Sequence, residues 1–227
     1  IVDDVIYFVE SPFQDGQATS VVSPTNGGIV TQAVNDVTAS GAMYFSSAGN
    51  EGNKNDGTSG TWEGNFVGNG NAGGPLAGVG TVNDFGDGGQ SNRVTQGTNN
   101  PVTLHWTDPL GTSGNDYDLY ILNSAMTAVV DSSTNTQNGD DDAYEQTGAV
   151  FTNERVVIVK DSGNDCYLSL RVFRGRLALS TDGSTHGHSS ALNAFSVAAV
   201  NVGGTYPNAF TGANTVETFS SDGPRRL

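Results

Sequence analysis

The chain has 227 residues, 24 of them acidic and 9 basic, and a formal net charge of -15. Mean hydropathy is -0.31, and no run approaches the ~20 apolar residues of a spanning helix, so a helical integral membrane protein is excluded. An acidic surface repels phosphate backbones and anionic bilayers, which argues against nucleic acid as a partner; the 31 glycines show no three-residue period, which excludes collagen, and the single Cys166 excludes an internal disulfide.

Residues 1–9 are an apolar, β-branched run, predicted as a buried strand. From Gly28 to Ser40 the period changes. Ile29, Ala33 and Val37 fall on one helical stripe with Val30 and Val34 beside it, and Gly41 follows where a helix favours a left-handed residue. Ala42–Ser47 reads as a second strand. Strand, helix and strand in this order predict a βαβ unit with parallel strands.

Residues 56–77 are Gly/Asn-rich and read as a linker. From Val79 to Ser180 short alternating runs replace the helical period. They are Val79–Phe85, Val102–Trp106, Tyr117–Leu122, Ala128–Val130, Arg155–Val159, Leu168–Phe173 and Leu177–Leu179. Seven strands at this spacing predict a separate antiparallel β-sandwich over about 78–185. Ala194–Val200 is a continuous apolar run again, as expected of a central strand in an α/β sheet. The predicted fold class is thus a partial parallel α/β layer, 1–55 with 186–227, carrying an inserted β-sandwich. The chain opens without Met or a basic leader and closes at Ser220–Leu227 without a capped helix, which reads as an internal piece of a longer polypeptide.

Three segments, in order, carry a family signature. Ala39–Gly52, containing Ala48-Gly49-Asn50-Glu51-Gly52, resembles the helix-to-strand passage of subtilisin-like serine peptidases. Ala194–Val200 resembles the next core strand of that family, and Thr218–Pro224 its F-S-S-x-G-P turn. The resemblance covers roughly 1–55 and 186–227. Residues 101–123 and 155–180 resemble, more weakly, the pre-peptidase C-terminal type of β-sandwich. The family's D-T-G, H-G-T-x-V-A and G-T-S-x-A-x-P motifs are absent from this chain. Gly57-Thr58-Ser59 and Gly111-Thr112-Ser113 lack the Ala-Pro context and read as turns.

The resemblance implies a fragment of a secreted or cell-surface endopeptidase acting on protein or peptide substrates, inactive by itself. Asn50 would donate to the oxyanion, and Ser46, Ser47, Ala48 and Gly49 would floor the primary substrate pocket. Asp4, on the substrate-binding strand, would tune specificity toward basic residues. The plainer readings are an Asn in a left-handed turn, small residues packed at a strand end, and solvated acids on an edge strand. A sedolisin-type peptidase and a non-catalytic binding module on a protease scaffold are the alternatives; the former places Asp where Asn50 stands.

His186 and His188 share a strand face at i, i+2 and suit zinc, but the lack of a third ligand favours a loop. His105 falls opposite Val102, Leu104 and Trp106 and reads as exposed. Asp108, Asn115, Asp116, Asp118 and the run Asp140–Asp142 offer hard oxygens for calcium, with solvated acidic loops as the default and no cofactor required. Cys166 opens an alternating strand and reads as a small packed residue. So few α/β strands leave open sheet edges, which predicts self-association through Ile1–Phe8 or Phe195–Val200.

Overall fold

In a computed structural model of the chain, residues 1–16 and 23–224 are described; the closing Arg225–Leu227 lies outside them. The chain is mostly β, with antiparallel sheets carrying most of its strands. A smaller parallel sheet lies against one helix. Its strands are β1 (Val2–Asp3), β2 (Tyr44–Ser47) and, last in the chain, β14 (Ala194–Val197), in the order β1-β2-β14. Helix α1 (Ile29–Ala39) connects the first two.

Gly41, at φ 94°, closes the helix: its N–H donates to the Thr38 carbonyl, and that of Ala42 to the Val37 carbonyl. The buried side of α1 is Thr31 and Val34, with Val37 half-buried. The expected stripe is rotated, and Ile29 and Ala33 are exposed. Val34 packs on Tyr44 and Ala191.

The first strand is shorter than its apolar run, and it lies at an edge. Val2 is 81% exposed. Likewise Ala194–Val197 is an edge strand rather than a central one, with Phe195 54% and Val197 53% exposed. Both runs thus leave apolar side chains exposed on the sheet.

The region read as a linker instead holds β3 (Thr61–Asn65) and β4 (Gly68–Asn71). Trp62 anchors β3 to the core: its ring is buried, and its indole N–H donates to the Phe85 carbonyl at 3.1 Å. The remaining strands are β5 (Thr81–Asn83), β6 (Asn92–Gln96), β7 (Val102–Trp106), β8 (Asp116–Leu122), β9 (Val129–Ser133), β10 (Tyr144–Thr147), β11 (Arg155–Ser162), β12 (Tyr167–Val172) and β13 (Arg176–Leu177). One antiparallel sheet runs β10-β7-β12-β3. In the other, β11 is the spine: β8 pairs along one edge, and β5 and β6 share the other.

Leu104, Trp106, Leu168 and Leu170 of the first sheet meet Leu119, Ile121, Val156 and Ile158 of the second in one core. Val157 and Val159, on the opposite face of β11, are buried in a second cluster with Leu76, with Val82 of β5 and with Tyr120 and Leu122 of β8. Both faces of β11 are therefore dry, and its sequence runs Val-Val-Ile-Val without alternation. Cys166 packs at the end of the main core; burial pushes its thiol pKa up to about 11.

The outer face of the four-stranded sheet is also covered. Thr103, His105, Ser169 and Arg171 are all buried there. Arg171 pairs with Glu63 at 3.2 Å and donates to the carbonyls of Ser184 at 2.9 Å and Gly183 at 3.0 Å. Phe8 packs on Phe173 at 4.7 Å between ring centroids. His105 is thus buried rather than exposed. Burial, helped by the charge of Arg171, lowers its pKa to about 3 and keeps the ring neutral.

Candidate functional site

Strand β2 ends at Ser47, and the chain turns through Ala48-Gly49-Asn50-Glu51-Gly52. The turn is tied down on both sides. The Ala48 N–H donates to the Val197 carbonyl at 2.9 Å, and its carbonyl accepts from the Thr185 hydroxyl at 3.0 Å. The Ser221 N–H donates to the Gly49 carbonyl at 3.0 Å, and Ser221 Oγ accepts from the Glu51 N–H at 3.0 Å. The Gly52 N–H donates to the Phe219 carbonyl at 2.9 Å. Asp222 completes the clamp, accepting from the N–H groups of Gly183 and Ser184 at 3.0 Å each and from the Lys54 N–H at 2.8 Å. The turn at 218–224 is thereby sewn onto the turn at 48–52.

Two glycines make this closure sterically possible. Gly49 has φ 94°, and a Cβ there would meet Ser221 Oγ at 3.0 Å. Gly52 has φ 73°, and a Cβ would sit 2.2 Å from the Thr58 carbonyl oxygen. The left-handed residue is therefore Gly49, not Asn50. Asn50 is exposed, and its side-chain amide makes no hydrogen bond among the described residues.

Asn50 stands at the rim of a small hollow. Ser47, Ala48 and Gly49 form one wall, and Asp4, Val5 and Ile6 another. Five of the six residues singled out in the sequence thus meet at one place. Ser46 does not line the hollow. Alternation along β2 turns its side chain to the other face, where it is buried, donates to Asp3 Oδ1 at 2.6 Å and lies 3.0 Å from Ser189 Oγ. Asp4 is exposed beside the edge strand, while Asp3 takes the hydroxyls of Tyr44 and Ser46.

Four further residues reach the hollow: Glu51, Arg174, His186 and Ser189. Arg174 comes from the turn between β12 and β13, which joins the two antiparallel sheets. Its backbone N–H donates to the buried carboxylate of Glu51. Burial raises the Glu51 pKa, an effect that the Arg174 N–H and its charge only partly offset. His186 packs on Phe173 at 5.0 Å. Burial, then the charge of Arg171, lowers its pKa well below 6.5, so it is a neutral ring and a weak base. The Arg174-Gly175 dipeptide between two apolar runs signals a turn, but nothing local shows that this turn meets Glu51.

His186 and His188 face different partners. His188 Nδ1 bonds Glu10, and among the described residues no group of three or more His, Cys, Asp or Glu is arranged around a cation. Several acidic loop residues bond to protein. Asp108 accepts from the N–H of Asn115 at 3.0 Å and from Ser113 Oγ at 2.9 Å. Asp142 is buried and accepts from the Gly111 N–H at 2.7 Å and the Ser23 hydroxyl at 2.6 Å. Asp118 and Glu145 are buried as well, so these are not simply solvated acids.

No protein-family model matches the chain, and no curated protein matches it. Among the described residues, no helix is long and apolar enough to cross a membrane. The site offers an open amide donor at the end of a parallel strand, beside a hollow lined by Ser47–Gly49 and Asp4–Ile6.

Proposed function

We propose that this chain forms the oxyanion-binding side of the cleft of a secreted, subtilisin-like serine endopeptidase, with the two antiparallel sheets as an inserted sandwich of the pre-peptidase C-terminal type. In this reading the segment Asp4–Ile6 runs beside the peptide substrate, Ser47–Gly49 face its side chain, and Asn50 donates to the developing oxyanion. A neutral amide suits that task because it stabilises negative charge without carrying charge itself. The Asp, His and Ser of the triad would come from outside this chain.

The observation that carries the reading is the meeting of segments far apart in sequence. Gly49 and Glu51 are hydrogen-bonded to Ser221, 172 and 170 positions later, and beside them the Asn50 amide is left open over the hollow. A turn serving only to cap a strand has no need to hold its neighbours this firmly and leave its one amide unbonded.

The test is turnover. In a polypeptide that supplies the three triad segments, Asn50→Ala should lower kcat by about 10²–10³ with little change in KM; that magnitude comes from subtilisin itself. The present chain alone should neither hydrolyse casein nor react with a fluorophosphonate probe. Intact turnover in Asn50→Ala would sink the proposal.

A further inference from the structure

Basic residues are scarce in this chain, and several of the described ones are engaged in structure. Lys160 pairs with Asp165, Arg171 with Glu63, and Lys54 Nζ donates to the Ser180 carbonyl. Arg174 and Arg176 differ. Neither guanidinium forms an ion pair among the described residues, and the two border the same hollow on the far side of Asn50 and Glu51 from Asp4. Its other walls include Thr58, Gln96 and Thr218. The only carboxylate on it is Glu51, which is buried and holds the Arg174 backbone N–H.

The backbone at Arg174 is unusual for its side chain. Its φ is 59°, in the left-handed region that is unfavourable for a non-glycine residue. Glycine would fit the turn without strain, and Gly175 is already next to it. The conformation is held from both sides, by the Glu51 carboxylate and by the Gly175 N–H donating to the Val172 carbonyl at 2.9 Å. The result is a backbone held in place with an exposed Arg174 at the border of two hollows, the one lined by Gly49 and the one shared with Arg176.

We infer that Arg174 and Arg176 form a carboxylate-binding subsite that reads an acidic group of the peptide lying in the cleft. The inference rests on the cleft reading above and adds the substrate class. Guanidinium is the fitting group: it stays charged, is weakly hydrated and matches a carboxylate with two parallel N–H donors. A local pair of cations is also what an acidic ligand requires on a molecule of charge -15. Asp4, on the first hollow, faces a different part of the same peptide. The acidic group is either a Glu or Asp side chain or the terminal carboxylate.

Fluorescence anisotropy with three labelled decapeptides separates these cases: one with a central Glu and an amidated end, its Gln counterpart, and the Gln peptide with a free C-terminus. The Glu peptide should bind at least tenfold tighter than the amidated Gln peptide, and the margin should shrink with salt. A tenfold advantage of the free C-terminus instead would assign the subsite to the terminal carboxylate. Arg174→Gly, which relieves the positive φ and so keeps the turn, and Arg176→Gln should each remove most of the preference. Equal binding of all three peptides, no binding of any, or a preference that survives the double variant would overturn the inference. A lost preference with the Asn50→Ala effect on turnover intact removes this subsite alone. A retained preference with turnover indifferent to Asn50 leaves the subsite and removes the peptidase reading.

Discussion

His188 Nδ1 lies 2.8 Å from the carboxylate of Glu10, 178 residues earlier in the chain, and both side chains are only 2% exposed. On its other side, His188 Nε2 faces Asp3 Oδ1 at 3.5 Å. Asp3 in turn holds Ser46 and Tyr44 of β2. The Tyr7 ring is the aromatic neighbour, at 6.1 Å, and His186 contributes a neutral ring. One imidazole thus ties the N-terminal segment to the 187–190 turn behind the candidate cleft.

Burial opposes charge on His188, but the hydrogen bond and charge of Glu10, then Asp3, outweigh it and raise its pKa above 6.5. The folded chain therefore keeps a proton that the unfolded chain has already shed. This stabilisation is complete below about pH 6.5 and is lost as pH rises through the folded value. Thermal melts from pH 5 to 9 should show that loss, and in His188→Gln the alkaline loss should be absent. An identical pH profile in the variant would remove the role given to this ring.

Arg171 and Glu63 form a second buried pair, each side chain 3% exposed. Ser169 Oγ also donates to Glu63, at 3.0 Å. Removing one charge strands the other in a dry site. Arg171→Ala should cost about 3–5 kcal/mol in urea unfolding. Arg171→Met with Glu63→Leu should recover part of that loss, because neither ion then remains. The Gly183 and Ser184 carbonyls stay without their guanidinium, so recovery should be incomplete.

Asp118 behaves in the opposite sense to a stabilising carboxylate. Burial first, partly offset by the Tyr120 hydroxyl at 3.0 Å, raises its pKa to about 6. Deprotonation thus costs the folded state, and stability falls as pH climbs from about 4 through 6. Asp118→Asn keeps an acceptor for Tyr120 and should raise stability at pH 7 by about 1 kcal/mol once solvent screening is counted. The gain should vanish below pH 4, which a pair of denaturation curves at pH 3.5 and 7 would check.

Val2, Phe45 and Phe195 stand in register across the parallel sheet, with Val197 two positions further along. Val2, Phe195 and Val197 are more than half exposed on a sheet type normally covered on both faces. Light scattering should find concentration-dependent self-association, reduced by Phe195→Ser with Val197→Ser. A monomer at all concentrations would count against it.

What the sequence determined by itself lies where the signal is local. Strands Val102–Trp106, Asp116–Leu122 and Tyr167–Val172 were legible because side chains alternate with the pleat. Helix α1 was legible because its period is 3.6 and a glycine ends it. Ser47, Ala48, Gly49 and Asn50, which line the hollow, were singled out through the resemblance of the contiguous stretch Ala48-Gly49-Asn50-Glu51-Gly52 to a family motif. Tertiary structure decided the rest. Thr61–Asn65 became a strand because Leu168 and Leu170 offer it an edge, which its own glycines and polar residues do not announce. His105 is buried because Phe8, Val9 and the 183–186 stretch belong to the layer against its sheet, a contact between distant segments. Ser46 lies off the hollow because a strand faces two ways, and only Asp3 and Ser189 show which way is which. Arg174 reached the hollow through Glu51, 123 residues away. Periodicity records what a residue's own element needs; which element covers it depends on pairings that no short window of sequence contains.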